Sequence, residues 1–436
     1  MKTTIALAGM VLAAFVATVS AQEKLLPQRV LYVGPRAGDF TPLLKQHFTK
    51  VASVAQSDFK PVQAEEFDVI VLDWPQRHQN GHDSWDDGVP LGKRADWRKP
   101  TVLLGSSGLN LAVAWKLKGG SGCTCLAPVA YDLKDHEIFK SPIPIDIKKT
   151  IAIPTVKQFA PELKSETMEV LPLIDGITNY ARAVEDNARG WATHYYEFAD
   201  MPDVEFFSGG INSQTPRSSA LWRQGNLLHF GFEQSPAQLN KPGQAMLVNS
   251  VAYISRFTED RPIDVTPSVF AKEKIGISRR RAKRYFTDPQ FRFEWATNAL
   301  SARTIAAVDL KDRAAAQAWY ETNGQWLHPA QGNLLEVDEE AKSLGTPFDS
   351  PDFLPKTMAA LREKKDRAAV LLERYVSNRP ESGADVVACE KWWQENAPYV
   401  FYSELGGYQW YIDPLAKKRG VPTKDLRGPA RADLRK

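Results

Sequence analysis

PTVLLGSSGLN, Pro100 to Asn110, is the stretch on which the fold turns. Thr101-Val102-Leu103-Leu104 is a continuous apolar run bounded by Pro100 and Gly105, short enough for a buried strand and too short for a buried helix. The turn Gly105-Ser106-Ser107-Gly108 closes it, and Leu109 to Leu117 continues with helical spacing. Two runs of the same kind lie upstream. RVLYVG (Arg29–Gly34) ends in Gly-Pro, and FDVIVL (Phe67–Leu72) is closed by Asp73-Trp74-Pro75. Between them Phe40 to Val54 sets Leu43, Leu44, Phe48 and Val51 near helical spacing. Residues 76–98 are polar and rich in Gly and Trp, which reads as a long loop. Buried strands separated by helices predict βαβ units and a mainly parallel sheet.

Downstream the pattern from Cys123 to Lys140 is extended, and 141–170 alternates Ile and Lys among several prolines, as sheet-edge strands do. Further strands are expected at Glu169–Ile174, Ala188–Phe198 and Ser219–Phe232, and a closing helix at Pro236–Ile254, whose Ala245, Val248, Ala252 and Ile254 suit packing on a sheet. A linker with two prolines and mixed charge covers 258–272. Beyond it helices are expected at Asp309–Tyr320, Ser350–Arg362, Asp366–Val376 and Ala384–Asn396, the second opening with Ser350 as N-cap and Pro351 at the first helical position. Tyr399–Ser403 and Tyr408–Ile412 flank Gly406-Gly407 as an aromatic hairpin. The division is a leader at 1–21, an α/β domain at 25–257, the linker, a helical domain at 273–425 and a tail at 426–436 that frays.

Lys2, the apolar run Ile5–Val19 and the small residues Val19-Ser20-Ala21 have the order of a cleavable secretory signal. The run falls short of the roughly 20 residues a membrane span needs. An exported, periplasmic or extracellular protein with no integral membrane segment after cleavage is the expectation. A net charge of +3 over 436 residues gives no global field for nucleic acid. Three cysteines in so long a chain exclude a disulfide scaffold. A bridge between Cys123 and Cys125 would be strained, which leaves pairing with Cys389 or buried free thiols.

Candidate chemistry collects at the carboxyl ends of the strands, where ligands of open α/β sheets bind. Asp73 and Trp74 stand there by position, and so does Glu233, after NLLHFGF. Ser106 and Ser107 lie where a nucleophile elbow would be, although that motif needs one more residue between its glycines. A tight turn with a serine N-cap is the plainer reading of them. His229 and Glu233 could complete a serine triad, but His229 lies within its strand and reads better as a core histidine. His78, His82 and Asp83 hold ligand types suited to zinc, on a loop whose Asn80 and Gly81 oppose a common helix face. Arg279, Arg280, Arg281, Lys283 and Arg284 form either a solvated helix face or a contact for anionic surfaces. The chain has 12 Trp, and Trp392, Trp393 and the hairpin aromatics could stack on sugar rings or pack a small core. No phosphate-binding loop, dinucleotide glycine fingerprint, zinc ribbon or helical zinc motif occurs, so no cofactor is expected.

RVLYVGPRAGDF, Asp135-His136-Glu137-Ile138-Phe139, and LWRQGNLLHFGFEQSP with its following helix together resemble the class I glutamine amidotransferase-like superfamily, nearest its ThuA-like (trehalose-utilisation) branch. The resemblance spans about residues 28–257. It implies a flavodoxin-like, amidotransferase-like sheet, and it implies departures at the site. Ser106 and Ser107 stand where the amidotransferase cysteine is expected, and Phe232 falls where the branch tends to carry His. A non-catalytic domain binding a small molecule or carbohydrate is the leading expectation. A serine hydrolase at Ser106 or Ser107 and a protein-interaction module in the helical region are the alternatives.

Overall fold

The computed structural model describes residues 25–75, 88–115, 117, 122–157, 159–181, 190–194, 199–212, 218–265, 279–288, 293–330, 334–363 and 366–433. The residues expected as a leader, 1–21, and the candidates His78, His82 and Asp83 lie outside the described residues.

The three apolar runs form parallel strands: β1 (Leu26–Val33), β3 (Val69–Leu72) and β4 (Thr101–Leu104). α1 (Ala37–His47) follows β1, and α2 (Ser107–Ala114) follows β4. The helix expected over 40–54 stops at His47, and Phe48–Val54 is β2, a parallel edge strand beside β1. Only Phe48 of its sequence FTKVASV is buried, and the rest is exposed or half-buried, as expected at a sheet edge. The run expected as one strand from Ser219 to Phe232 is a hairpin. β11 (Ser218–Gln224) and β12 (Leu227–Phe230) turn at Gly225, whose φ of +56° suits glycine. Between β4 and β11 come β5 (Gly122–Leu126), β6 (Val129–Tyr131), β7 (Ile151–Pro154), β8 (Thr167–Pro172), β9 (Gly190–His194) and β10 (Val204–Gly210), with a single-turn helix α3 (Ala160–Leu163).

Among the described residues these make one sheet in the order β2-β1-β3-β4-β12-β11-β10-β6-β8-β7, with β9 pairing β11 and β5. The half from β2 to β12 is parallel and the rest antiparallel. Within the parallel half the chain order is 2-1-3-4-5, the flavodoxin-like winding. Successive strands there leave in opposite directions from the gap between β1 and β3. One face of the sheet (Val30, Tyr32, Val69, Val71, Val102, Leu104, Leu228, Phe230) packs on α1 and on α4 (Lys241–Ile254). The other (Leu31, Val33, Ile70, Leu72, Leu103, Leu227) packs on α2 and the segments around Trp97 and Trp115. α4 starts where Asn240 caps the Gly243 N–H and Pro242 occupies the first turn. It buries Met246, Leu247, Val248, Val251 and Ile254, each worth about 1.5–3 kcal/mol of apolar transfer.

The C-terminal region is mostly helical, with α5 (Arg279–Thr287), α6 (Ala302–Ala306), α7 (Arg313–Asn323), α8 (Glu339–Leu344), α9 (Phe353–Arg362), α10 (Asp366–Tyr375), α11 (Val386–Asn396) and α12 (Pro414–Arg419). Two small hairpins accompany them, β13 (Leu327–Pro329) with β14 (Leu335–Val337) and the aromatic β15 (Val400–Ser403) with β16 (Gln409–Ile412). α9 begins at Phe353. Ser350 does not cap it; its hydroxyl accepts from the Asp352 N–H in the preceding turn. Among the described residues no helix is long and apolar enough to cross a membrane. Cys125 is disulfide-bonded and Cys389 is a free, buried thiol, so Cys389 takes no part in a bridge.

The tail is packed through its described residues, up to Asp433. Arg431 is fully buried and reaches Asp260 through Nε (2.9 Å) and Nη2 (2.8 Å), and Asp413 through Nη1 (2.7 Å). Asp260 also accepts from Arg223 Nη1 (2.8 Å), and Arg223 Nε donates to Glu205 (2.6 Å) under the Phe257 ring. Burial alone would raise the Glu205 carboxyl, but Arg223 and the hydrogen bonds from His136 and Tyr253 outweigh it and hold it down at about 2. Residues 258–265, expected as linker, are anchored through this network and through Ile263, whose N–H donates to Asp203. Arg431→Ala leaves Asp413 buried without its cation, and the expected loss is about 3–5 kcal/mol in urea unfolding. A loss under about 1 kcal/mol, the ceiling of an exposed pair, would show that the tail is not held this way.

Candidate functional site

Tyr32 ends the α1-facing row of β1, and Asp73 stands one residue past β3 on the same side of the sheet. They meet in the gap where the winding reverses. Asp73 has no solvent exposure, so its carboxylate must find charge and donors inside the protein. Tyr32 Oη donates to Oδ2 at 2.5 Å. Arg36, at the N-terminal end of α1, binds both oxygens, with Nε to Oδ2 at 2.8 Å and Nη2 to Oδ1 at 2.6 Å. This is the planar two-point pairing at which arginine excels. Gly34 permits it, because a Cβ there would overlap Asp73.

Arg36 then reaches across the sheet. Its Nη1 donates to the Glu233 carbonyl at 2.7 Å, and Nη2 lies 3.3 Å from Glu233 Oε1. The other carboxyl oxygen, Oε2, accepts the backbone N–H of Ser106 at 3.1 Å. Glu233 thus lies against the strand-to-helix turn after β4. The residue in the left-handed conformation at that turn is Gly105, with φ +50°. In a nucleophile elbow the strained residue of that turn is the one that projects the reacting side chain. Here it is glycine, and a Cβ built on Gly105 would collide with the Glu233 carboxyl. The carboxyl takes the place of the elbow side chain.

Burial pushes the Glu233 carboxyl up to about 7. Arg36 and the Ser106 N–H pull it back and Asp73 adds to the rise. The side chains of Arg36 and Glu233 keep 25% and 18% exposure, whereas Asp73 keeps none. The cluster is a closed floor with a guanidinium and a carboxyl at its mouth.

The remaining candidates fall elsewhere. Ser107 is buried, and its hydroxyl accepts the Trp74 N–H at 2.5 Å. Asn110 fixes the same segment by donating to the Trp74 carbonyl at 2.8 Å. Trp74 is buried with the α2-side core, so it offers no ring to a ligand. His229 lies among Trp191, Trp222 and Gly108, whereas Glu233 lies against Arg36, Gly105 and Ser106. His229 stacks on Trp222 at 3.8 Å and 3°, lies against Gly108, and among the described residues neither ring nitrogen has a hydrogen-bond partner. Burial pushes it down to about 3, so it is neutral. Among the described residues no serine reaches it, and no triad is assembled there. Among the described residues no three His, Cys, Asp or Glu side chains gather as a metal site. Arg279, from the basic run, is no solvated residue. It lies over Phe348 and Tyr408 and pairs with Asp349 at 2.5 Å. The hairpin rings Phe401, Tyr408, Trp410 and Tyr411 are buried, which removes them as a stacking platform.

Sequence reading missed Tyr32, Arg36 and Gly105. Arg36 sits in the quoted RVLYVGPRAGDF, but its partners are 37 and 197 positions away. The signal that could have found it is a cation just past β1 facing an acid just past β3, on either side of a switch point.

No protein-family model and no curated protein matches the chain. A solved structure from Bacteroides uniformis, described as thua-like, aligns with 53% of this chain and 91% of its own at 12% identity and a TM-score of 0.28. The fold assignment rests on the strand order above.

Gly105→Ala is expected to cost about 2 kcal/mol or more in the wild-type background, where the new methyl meets both a left-handed φ and the Glu233 carboxyl. In a Glu233→Ala background the cost falls to the backbone part, about 1 kcal/mol. Equal costs in urea unfolding would contradict the contact. The folded protein holds the Glu233 proton more tightly than the unfolded chain does. Its stability contribution is therefore complete below the ordinary carboxyl range and lost as pH rises through about 7. The stability of wild type relative to Glu233→Gln is expected to fall by about 2 kcal/mol from pH 5 to pH 8. A pH-independent difference would contradict it.

Proposed function

We propose that the chain is an exported protein whose α/β half is a non-catalytic, amidotransferase-like domain that binds a small polar molecule or carbohydrate at the β1/β3 switch point. The observation that carries this reading is the elbow itself. Gly105 has no side chain to react, and Glu233 fills the position a nucleophile would take. What remains at the surface is a polar pair, Arg36 and Glu233, at the place where sheets of this winding bind ligands. Hydroxyl groups suit such a pair, since the guanidinium donates to them and the carboxyl accepts from them. The resemblance of residues 28–257 to the ThuA-like branch supports the carbohydrate class. The buried hairpin rings Phe401, Tyr408, Trp410 and Tyr411 lend it nothing, whereas Trp392, Trp393, Tyr399 and Tyr402 are half-buried. Export rests on the order of charge, apolar run and small residues in Met1–Ala21.

The test uses the chain from Gln22 onward. Isothermal titration with a panel of mono- and disaccharides, sugar acids and glutamine is expected to yield saturable binding that Arg36→Ala removes. Parallel assays for glutamine and ester hydrolysis are expected to show no turnover. Turnover abolished by Ser106→Ala would overturn the reading in favour of a hydrolase.

A further inference from the structure

We propose that the position over the elbow is a carboxylate-binding site and that Glu233 is its internal occupant, displaced when a small carboxylate ligand binds. This deepens the ligand-binding reading above and rests on it.

Three features build the site. Ser106 presents its N–H to one oxygen, Arg36 presents Nη2 to the other, and Gly105 leaves the volume between them free of a side chain. The donors do not depend on Glu233's carboxyl for their placement. The Ser106 N–H is fixed by the turn, whose Gly105 N–H donates to the Phe230 carbonyl. Arg36 is fixed by two bonds to Asp73 and one to the Glu233 main-chain carbonyl. If the Glu233 side chain swings away, a guanidinium and an amide N–H remain, aimed at the vacated position. Such paired donors recognise a carboxylate from any source.

The exchange is close to balanced. An incoming carboxylate takes the two donors that Glu233 gives up, and Glu233, already 18% exposed, regains water. The ligand's other contacts then decide affinity. Gln234, the next residue in the chain, is buried, and among the described residues both its amide atoms lack a hydrogen-bond partner. The groups facing Glu233 are Arg36 from α1, Asp73 from the end of β3 and the Ser106 N–H from the elbow, with Tyr32 of β1 reaching it only through Asp73. With Glu233 ionised the group of Arg36, Asp73 and Glu233 carries one excess negative charge, which repels an incoming anion. Protonating Glu233, whose carboxyl burial has pushed up to about 7, removes that charge and frees the site for exchange.

The probe is sodium formate, read against equal sodium chloride by thermal unfolding and by calorimetric titration of the whole mature chain. Glu233→Ala is expected to bind formate at least about tenfold more tightly than wild type at about pH 8.5. Arg36→Gln in the same background is expected to abolish that binding. In wild type, formate should raise the unfolding temperature above the chloride control at about pH 5.5 and not at about pH 8.5. A folded Glu233→Ala that takes up no formate overturns the proposal. If that variant does not fold, a wild-type formate effect equal at both pH values, or absent at both, overturns it. Formate uptake by Glu233→Ala with no hit for wild type in the ligand panel would keep the anion site while defeating the broader ligand-binding reading.

Discussion

Asp73 is a carboxylate without solvent exposure at the point where the sheet's winding reverses. Left unpaired it would cost several kcal/mol or stay protonated. The chain answers with a phenol from β1 and an arginine at the start of α1. Much of the local geometry follows from that one demand. Gly34 must lack a side chain so that the β1–α1 connection can close on Asp73. Arg36, once committed to Asp73, has Nη1 left to hold the main chain at Glu233. That hold sets the Glu233 carboxyl against the elbow, where it finds the Ser106 N–H. The position that other sheets of this kind can use for a reactive side chain is thereby filled by an acid drawn from the far end of the domain.

A second buried network fixes the C-terminal region. Arg223 of β11 and Arg431 near the terminus share Asp260, and Asp413, which caps α12, completes the set. Beside it, Phe401, Leu405 and Tyr411 of the aromatic hairpin pack with Trp222 and Met201 of the sheet domain. The hairpin therefore closes a core shared by the two regions, which explains why its rings are hidden. Asp200 accepts the Glu404 N–H at this contact, and burial there pushes its carboxyl up to about 6.

The legible part of the sequence was its apolar patterning. β1, β3 and β4 are short runs with Gly or Pro at their ends, and α4 was read from its apolar face, although it starts at Lys241 after the Asn240 cap and not at Pro236. The aromatic hairpin was marked by Gly406-Gly407. Errors arose where one local period imitates another. Phe48 and Val51 continue the helical spacing of Leu43 and Leu44, although the chain has already become an edge strand. Gly225 splits an apolar run that looks continuous on paper. At the site, Asp73 and Glu233 were legible from their place at strand ends. Arg36 was not, because pairing across the sheet leaves no local trace. Arg431 was misread for a related reason. A tail rich in Arg and Asp has the composition of solvated chain, and only the fold brings Asp260 and Asp413 to it.

Everything at the site turns on the Glu233 carboxyl occupying the elbow position, sheltered from water. The most direct measurement is a carbon-13 NMR titration of that carboxyl, assigned by comparison with Glu233→Gln. A midpoint near 7, with a shift change at the Ser106 amide tracking the same curve, is the predicted result. A midpoint in the ordinary carboxyl range, with the Ser106 amide unmoved, would place Glu233 in solvent and remove it from the elbow.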